Sequence, residues 1–169
     1  CLTKDPLFAS ASSKQVLGYN FDFPLSNMSV KVNQKMTFNV MSEIEKKFKE
    51  KVFKKKVLLI GVSYKEDTND TRFSPAEKVY DFFKKRNCNV SFYDPIVNYW
   101  EYTKDFSINK KDSKIFDVYV YLVKHQLFKK LNIIFKKNSL ILDLNHVLDN
   151  KEKIKIKKNK NFKNYFIGS

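Results

Sequence analysis

Two stretches of the chain hold side chains whose types and spacing can do chemistry. The first is the opening, Cys1-Leu2-Thr3-Lys4-Asp5-Pro6: a thiol, an ammonium three residues on, and a carboxylate next to it. A neighbouring cation favours the thiolate, the nucleophilic form of cysteine, and a carboxylate is a ready general acid or base. Read alone, such a Cys is most often an inert small hydrophobe, and Asp5-Pro6 is an ordinary turn opening. The second is the polar run 63–72, SYKEDTNDTR, wedged between apolar segments. Lys65, after aromatic Tyr64, presents a charge that a phosphate or a sugar hydroxyl can meet. Asp70 can hold Arg72 or cap the turn, and Thr71 can do likewise. A solvated surface charge is the plainer alternative for Lys65 and Arg72.

The flanking sequence says what must position this second cluster. Val57-Leu58-Leu59-Ile60 is an apolar run that turns at Gly61. After the polar stretch, Ser74-Pro75 reads as an N-cap with proline at the first helical position, and Glu77 follows at capping-box spacing. An amphipathic segment runs to about Arg86, and a second apolar alternation spans Val90 to Tyr93. Strand, loop, helix and strand in that order make a βαβ unit, whose first loop lies at the carboxyl edge of a parallel sheet, where open α/β folds bind ligands. Further strands are expected at 118–123 and 140–144, with a helix over 126–136 between them. The fold class is therefore α/β: a long helix over 26–50, then a Rossmann-like, doubly wound parallel sheet over 51–169. Residues 1–25 read as a loop. In the long helix Met28, Val32, Met36, Val40, Ile44 and Phe48 recur at spacings of four, an apolar stripe whose ordinary use is core packing. The tail KEKIKIKKNKNF alternates Ile with Lys and reads as a strand edge or a surface connection.

Composition narrows the class. A chain of 169 residues with 43% hydrophobic content builds one sizeable core, so one compact domain plus a helical arm is the expected count. Two cysteines, Cys1 and Cys88, are too few for a secreted disulfide framework, which points to a reducing, cytoplasmic setting; Cys88 reads as buried rather than reactive. No apolar run approaches the roughly 20 residues of a membrane span, so no membrane is expected. The net charge of +15 would suit a nucleic-acid partner. However, the lysines are scattered over helices and turns in a chain also rich in Asn, Ile and Phe, a compositional bias rather than a stripe, and no nucleic acid is expected. No His, Cys, Asp or Glu group has metal-ligand spacing.

Together the two clusters resemble the UDP-glucose/GDP-mannose dehydrogenase family. GVSYKEDTNDTRFSP is similar to the signature of that family's carboxy-terminal domain, an aromatic-Lys pair followed by Asp-Thr-Arg and Ser-Pro, matched here by Tyr64-Lys65, Asp70-Thr71-Arg72 and Ser74-Pro75. CLTKDP is similar to its nucleophile segment at Cys1, Lys4 and Asp5. Residues 26–50, with Val32-Asn33 near the start, resemble its central linking helix. The resemblance covers nearly the whole chain. It implies an NAD-dependent nucleotide-sugar 6-dehydrogenase that oxidises the C6 alcohol of a UDP-sugar to the uronic acid for surface polysaccharides. That oxidation takes two hydride removals, and a thiolate keeps the aldehyde covalently held between them, as thiohemiacetal and then thioester. The resemblance implies Cys1 as nucleophile, Asp5 handling water and protons, Lys4 and Arg72 contacting the cofactor, Tyr64 and Lys65 contacting the nucleotide sugar, and a homodimer through the central helix. It also implies a dinucleotide-binding domain ahead of Cys1. No GxGxxG occurs here, so the chain reads as a fragment cut at its active-site cysteine, lacking the NAD-binding domain.

Some residues depart from the family pattern. Asn145 and His146 stand where many members carry an arginine after the Asp of Leu142-Asp143, which removes an expected phosphate-binding charge. His125 matches a polar His found in some members, although a turn His is the commoner reading. Asp5-Pro6 followed by Phe8 is more like members acting on UDP-N-acetylhexosamines than on UDP-glucose. Two other classes stay open: a non-catalytic nucleotide-binding module, and an N-terminal-nucleophile hydrolase using the Cys1 amine as base, whose usual antiparallel sheet stack conflicts with the βαβ order.

Overall fold

The computed structural model describes residues 5–130 and 133–168 and divides into a unit ending at Glu43 and a unit from Ile44 onward. The first unit carries helix α1 (Phe8–Leu17) and most of helix α2 (Pro24–Phe48). Helix α1 lies in the stretch expected to be a loop. Its Ala, Ser, Lys, Gln and Leu content tolerates a helix, and Gly18, at φ +68°, ends it in the left-handed conformation.

Helix α2 spans the expected long helix, but its apolar stripe is not one face. An α-helix advances about 100° per residue, so spacings of four drift by about 40° a step and about 200° over six residues. Met28, Val32 and Met36 are accordingly exposed (60%, 54% and 54%), while Val30, Met41 and Ile44 are buried. The face turned inward follows alternating three and four spacings instead.

The second unit is a parallel sheet of five strands in the order β2-β1-β5-β6-β7, beside a two-stranded antiparallel ribbon of β3 (Tyr99–Trp100) and β4 (Asp105–Phe106). Strand β1 (Lys56–Ile60), β5 (Val118–Tyr121) and β6 (Leu140–Asp143) occupy the middle, and their near-continuous apolar runs are buried on both faces, as a covered parallel sheet requires. The flanking strands β2 (Asn89–Tyr93) and β7 (Lys163–Phe166) keep partly exposed residues. Register sets Ile60 opposite Tyr93 and Tyr121, Tyr121 opposite Asp143, and Asp143 opposite Phe166. The five strands therefore end in one row, and the loops that follow them share an edge. On one face of the sheet Leu58, Ile60, Tyr119, Tyr121, Ile141 and Ile156 belong to one buried core cluster.

Helix α3 (Pro75–Lys84) forms as its sequence predicts. Ser74 accepts the Ala76 N–H at 3.2 Å, Pro75 opens the first turn, and Ala76, Val79, Phe82 and Phe83 face the core.

Two expected elements differ. The described residues of the expected helix over 126–136 are not α-helical: Gln126–Lys130 is a short 3-10 helix and 133–136 are irregular, while 131–132 lie outside the described residues. Side chains elsewhere take backbone donors of this stretch, and those of Ile134 and Lys136 are ones a helix would have used itself. The Asp67 carboxylate accepts the Gln126 N–H, the Ser113 hydroxyl that of Ile134, and the Tyr119 hydroxyl that of Lys136. The Lys-rich tail is not a strand edge but helix α4 (Asn150–Lys158), started by a full capping box in which Asp149 and Glu152 each accept the other's backbone N–H. No helix among the described residues is long and apolar enough to cross a membrane.

Candidate functional site

The carboxyl edge of the sheet is built around a close approach. Gly61 follows β1 with φ +79°, and a Cβ there would lie 2.4 Å from the Val123 carbonyl oxygen and 2.9 Å from the Val123 nitrogen. Only glycine lets the chain leaving β1 press against the chain leaving β5. The strand order reverses direction between these two strands, the switch point at which open parallel sheets present their ligand crevice.

From that point run residues 63–72, closed on themselves by a hydrogen bond from the Tyr64 N–H to the Asp70 carbonyl at 2.7 Å. The buried Ser63 hydroxyl donates to the Lys65 carbonyl at 2.8 Å, and the Thr68 hydroxyl donates to the same oxygen at 3.1 Å. Ser74, buried at the start of α3, donates to the Ser63 carbonyl and ties the loop to the helix. Tyr64 is half-buried and Lys65 is exposed; among the described residues nothing pairs with the Lys65 ammonium. Asp70 grips Arg72 at two points, with Nε to Oδ1 at 2.9 Å and Nη2 to Oδ2 at 2.8 Å, and also accepts the Arg72 backbone N–H. The Arg72 hydrogen bonds hold the Asp70 carboxyl down to about 2. Arg72 is nonetheless 81% exposed, a charge fixed in direction and open to a ligand.

The structure thus brings Tyr64, Lys65 and Arg72 onto one loop. Asp5 opens a 3-10 turn in the first unit and is exposed. Cys1 and Lys4 lie outside the described residues. No group of three His, Cys, Asp or Glu residues arranged for a metal occurs among those described.

Behind the loop sits a polar cluster centred on His125, whose partners the sequence left unassigned. His125, with no exposed side-chain surface, places Nε2 at 3.3 Å from both Asp94 Oδ2 and Ser63 Oγ. Its Nδ1 accepts the Asp67 N–H at 3.0 Å. Asp94, at the end of β2, also accepts the N–H groups of Val62, Ile96 and Val97. Burial raises its carboxyl, but the bonds from His125 and these backbone groups outweigh it and leave Asp94 below its ordinary value. His125 does open a turn, its carbonyl accepting the Phe128 N–H at 3.0 Å, but its buried ring also joins three segments. The sequence signals were its place shortly after an apolar strand and its match to a polar His of some family members; its partner Asp94, one residue after β2, carried no signal of its own.

The loop after β6 is anchored by Asp143, which is buried and accepts the N–H groups of Val147 and Leu148 and the Lys153 ammonium at 3.1 Å. The Asn145 amide turns inward to the Leu122 carbonyl at 2.9 Å, and His146 Nδ1 lies 3.4 Å from the Lys153 nitrogen. Neither supplies the guanidinium that an arginine would.

Comparison with known proteins agrees with this geometry. The family model described as "UDP-glucose/GDP-mannose dehydrogenase family, UDP binding domain" matches residues 58–150. The chain is 33% identical over 155 residues to a UDP-N-acetyl-D-mannosamine dehydrogenase of Methanococcus aeolicus, covering 89% of this chain and 32% of that protein. It is 37% identical over 142 residues to the protein of the same name from Methanococcus vannielii, covering 75% and 32%. The crystal structure of an NDP-N-acetyl-D-galactosaminuronic acid dehydrogenase from Methanosarcina mazei Go1 superposes with a TM-score of 0.74 at 26% identity, over 99% of this chain and 37% of that one. The chain spans about a third of the length of these curated relatives. With its signature loop at the switch point of a five-stranded parallel sheet, the chain belongs to the UDP-glucose/GDP-mannose dehydrogenase family.

Proposed function

We propose that this chain supplies the nucleotide-sugar side of an NAD-dependent UDP-sugar 6-dehydrogenase, acting on a UDP-N-acetylhexosamine, the substrate class named in the archaeal relatives. The observation that carries this reading is the loop of residues 63–72, which holds a Lys65 ammonium unpaired among the described residues and a pre-oriented Arg72 guanidinium at the carboxyl edge of the sheet.

In this reading Lys65 and the ring of Tyr64 hold the nucleotide sugar, the ammonium meeting its phosphate or hydroxyl oxygens. Arg72 fits a cofactor phosphate: Asp70 is its only side-chain partner among the described residues, and the guanidinium fork is otherwise open. NAD, when bound, accepts the hydride. Lys4 would add a second cation, Cys1 the nucleophile and Asp5 the carboxylate that moves protons as the alcohol becomes a carboxylate. The remaining two thirds of such a protein would supply the dinucleotide-binding domain, and the compartment would be the cytoplasm. The exposed Met28, Val32 and Met36 on α2 suit contact with a second copy.

Asn145 and His146 in place of an arginine favour a second reading, a nucleotide-binding module without turnover. Steady-state kinetics of the full gene product separate the two. Lys65→Ala should raise KM for the UDP-sugar about tenfold, and Arg72→Ala should raise KM for NAD by a similar factor, each with little effect on the other KM. Absence of turnover with any UDP-hexose would leave the module reading.

A further inference from the structure

We propose that His125 is a positioning residue for the nucleotide-sugar loop, acting through the hydrogen bond that its Nδ1 accepts from the Asp67 N–H; the functional consequence rests on the reading above. A nitrogen that accepts a backbone N–H carries no proton, so the ring proton sits on Nε2, which faces Asp94 Oδ2 and Ser63 Oγ at 3.3 Å. The Ser63 hydroxyl spends its own proton on the Lys65 carbonyl, leaving its oxygen free to accept from the ring. One imidazole therefore touches residues 63 and 67, and Tyr64 and Lys65 are strung between those two points.

The far point is the one that needs holding. Asp67 adopts φ +55°, a left-handed conformation uncommon outside glycine that persists only where neighbours fix it. The neighbours are consecutive residues: His125 takes the Asp67 N–H, and the Gln126 N–H is taken by Asp67 Oδ1 at 2.9 Å. The near point is tied to β2, because Asp94 binds both the ring and the Val62 N–H. Three strand ends, those of β1, β2 and β5, are thus locked to one buried ring, and the loop carrying the ligand-facing charges takes its shape from that lock. The His125 side chain has no exposed surface, so the role proposed for it runs through the loop and not through ligand contact.

The two nitrogens can be removed separately. A glutamine places its amide near Nε2 and keeps the donor toward Asp94 but loses the acceptor for Asp67; an asparagine places its carbonyl near Nδ1 and keeps that acceptor. In the full gene product, His125→Gln should raise KM for the UDP-sugar about tenfold with kcat changed less, and His125→Asn should restore most of the loss. Hydrogen exchange at the Asp67 amide gives a readout independent of turnover: fast in the glutamine variant, protected in the asparagine variant and the wild type. Equal KM values in both variants, with only their melting temperatures lowered, would overturn the proposal. So would a wild-type imidazole whose 15N spectrum shows a protonated Nδ1, a measurement needing no variant. A protein that turns over no UDP-sugar while Asp67 exchange follows this pattern would refute the functional reading and leave the positioning role standing.

Discussion

Asp70 and Arg72 are joined at three points, two through the guanidinium and one through the Arg72 backbone N–H, so the direction of the Arg72 charge is set by a residue two positions earlier. Both side chains stand in solvent, where an ion pair adds little to stability, so the value of the pair lies in aiming the guanidinium. Asp70→Asn should therefore weaken NAD binding severalfold while shifting the melting temperature by about a degree or less. Calorimetric titration of NAD and a thermal melt of the same samples check both halves.

The same pair has a pH signature. Asp70 is depressed from 3.8 to about 2 by Arg72, so the pairing is fully present above the ordinary carboxylate value and is lost as pH falls through about 2. An NMR titration should find the Asp70 carboxyl near that low value, and Arg72→Ala should return it toward 3.8.

Gly61 should tolerate no side chain. A Cβ placed 2.4 Å from the Val123 carbonyl oxygen, on a backbone at φ +79°, forces apart the loops after β1 and β5. Gly61→Ala should cost about 3 kcal/mol in urea unfolding and raise KM for the UDP-sugar, since both loops line the ligand edge.

Much of this was legible in the sequence, for reasons that differ by residue. Strand β1 and helix α3 carry strong local signals, an uninterrupted apolar run and a Ser-Pro cap, and both form where expected. Residues 63–72 were legible as a loop because a polar run separates the apolar strand from the Ser-Pro cap. His125 was noticed through the resemblance, but its contacts were not legible, because Ser63, Asp67 and Asp94 meet it only when three strand ends align. The irregular course of 133–136 was hidden for a similar reason: Ser113 and Tyr119 take its backbone donors from other elements. The α2 stripe misled because a spacing of four looks like a face over two turns and winds off it over six.

In helix α4 the Ile-Lys alternation imitated a strand, and the Asp149 and Glu152 cap overrode it. Asp149→Ala should remove about 1 kcal/mol from the second unit and loosen the first turn of the helix, which urea unfolding and amide exchange at Glu152 would register.

The most direct test is the stoichiometry of NAD reduction by the full gene product given a UDP-N-acetylhexosamine. Two NAD should be reduced for each sugar converted to its uronic acid, none by the 169-residue chain alone, and the sugar KM should rise sharply in Lys65→Ala. Reduction by the isolated chain, or undiminished sugar affinity without Lys65, would contradict the proposed function.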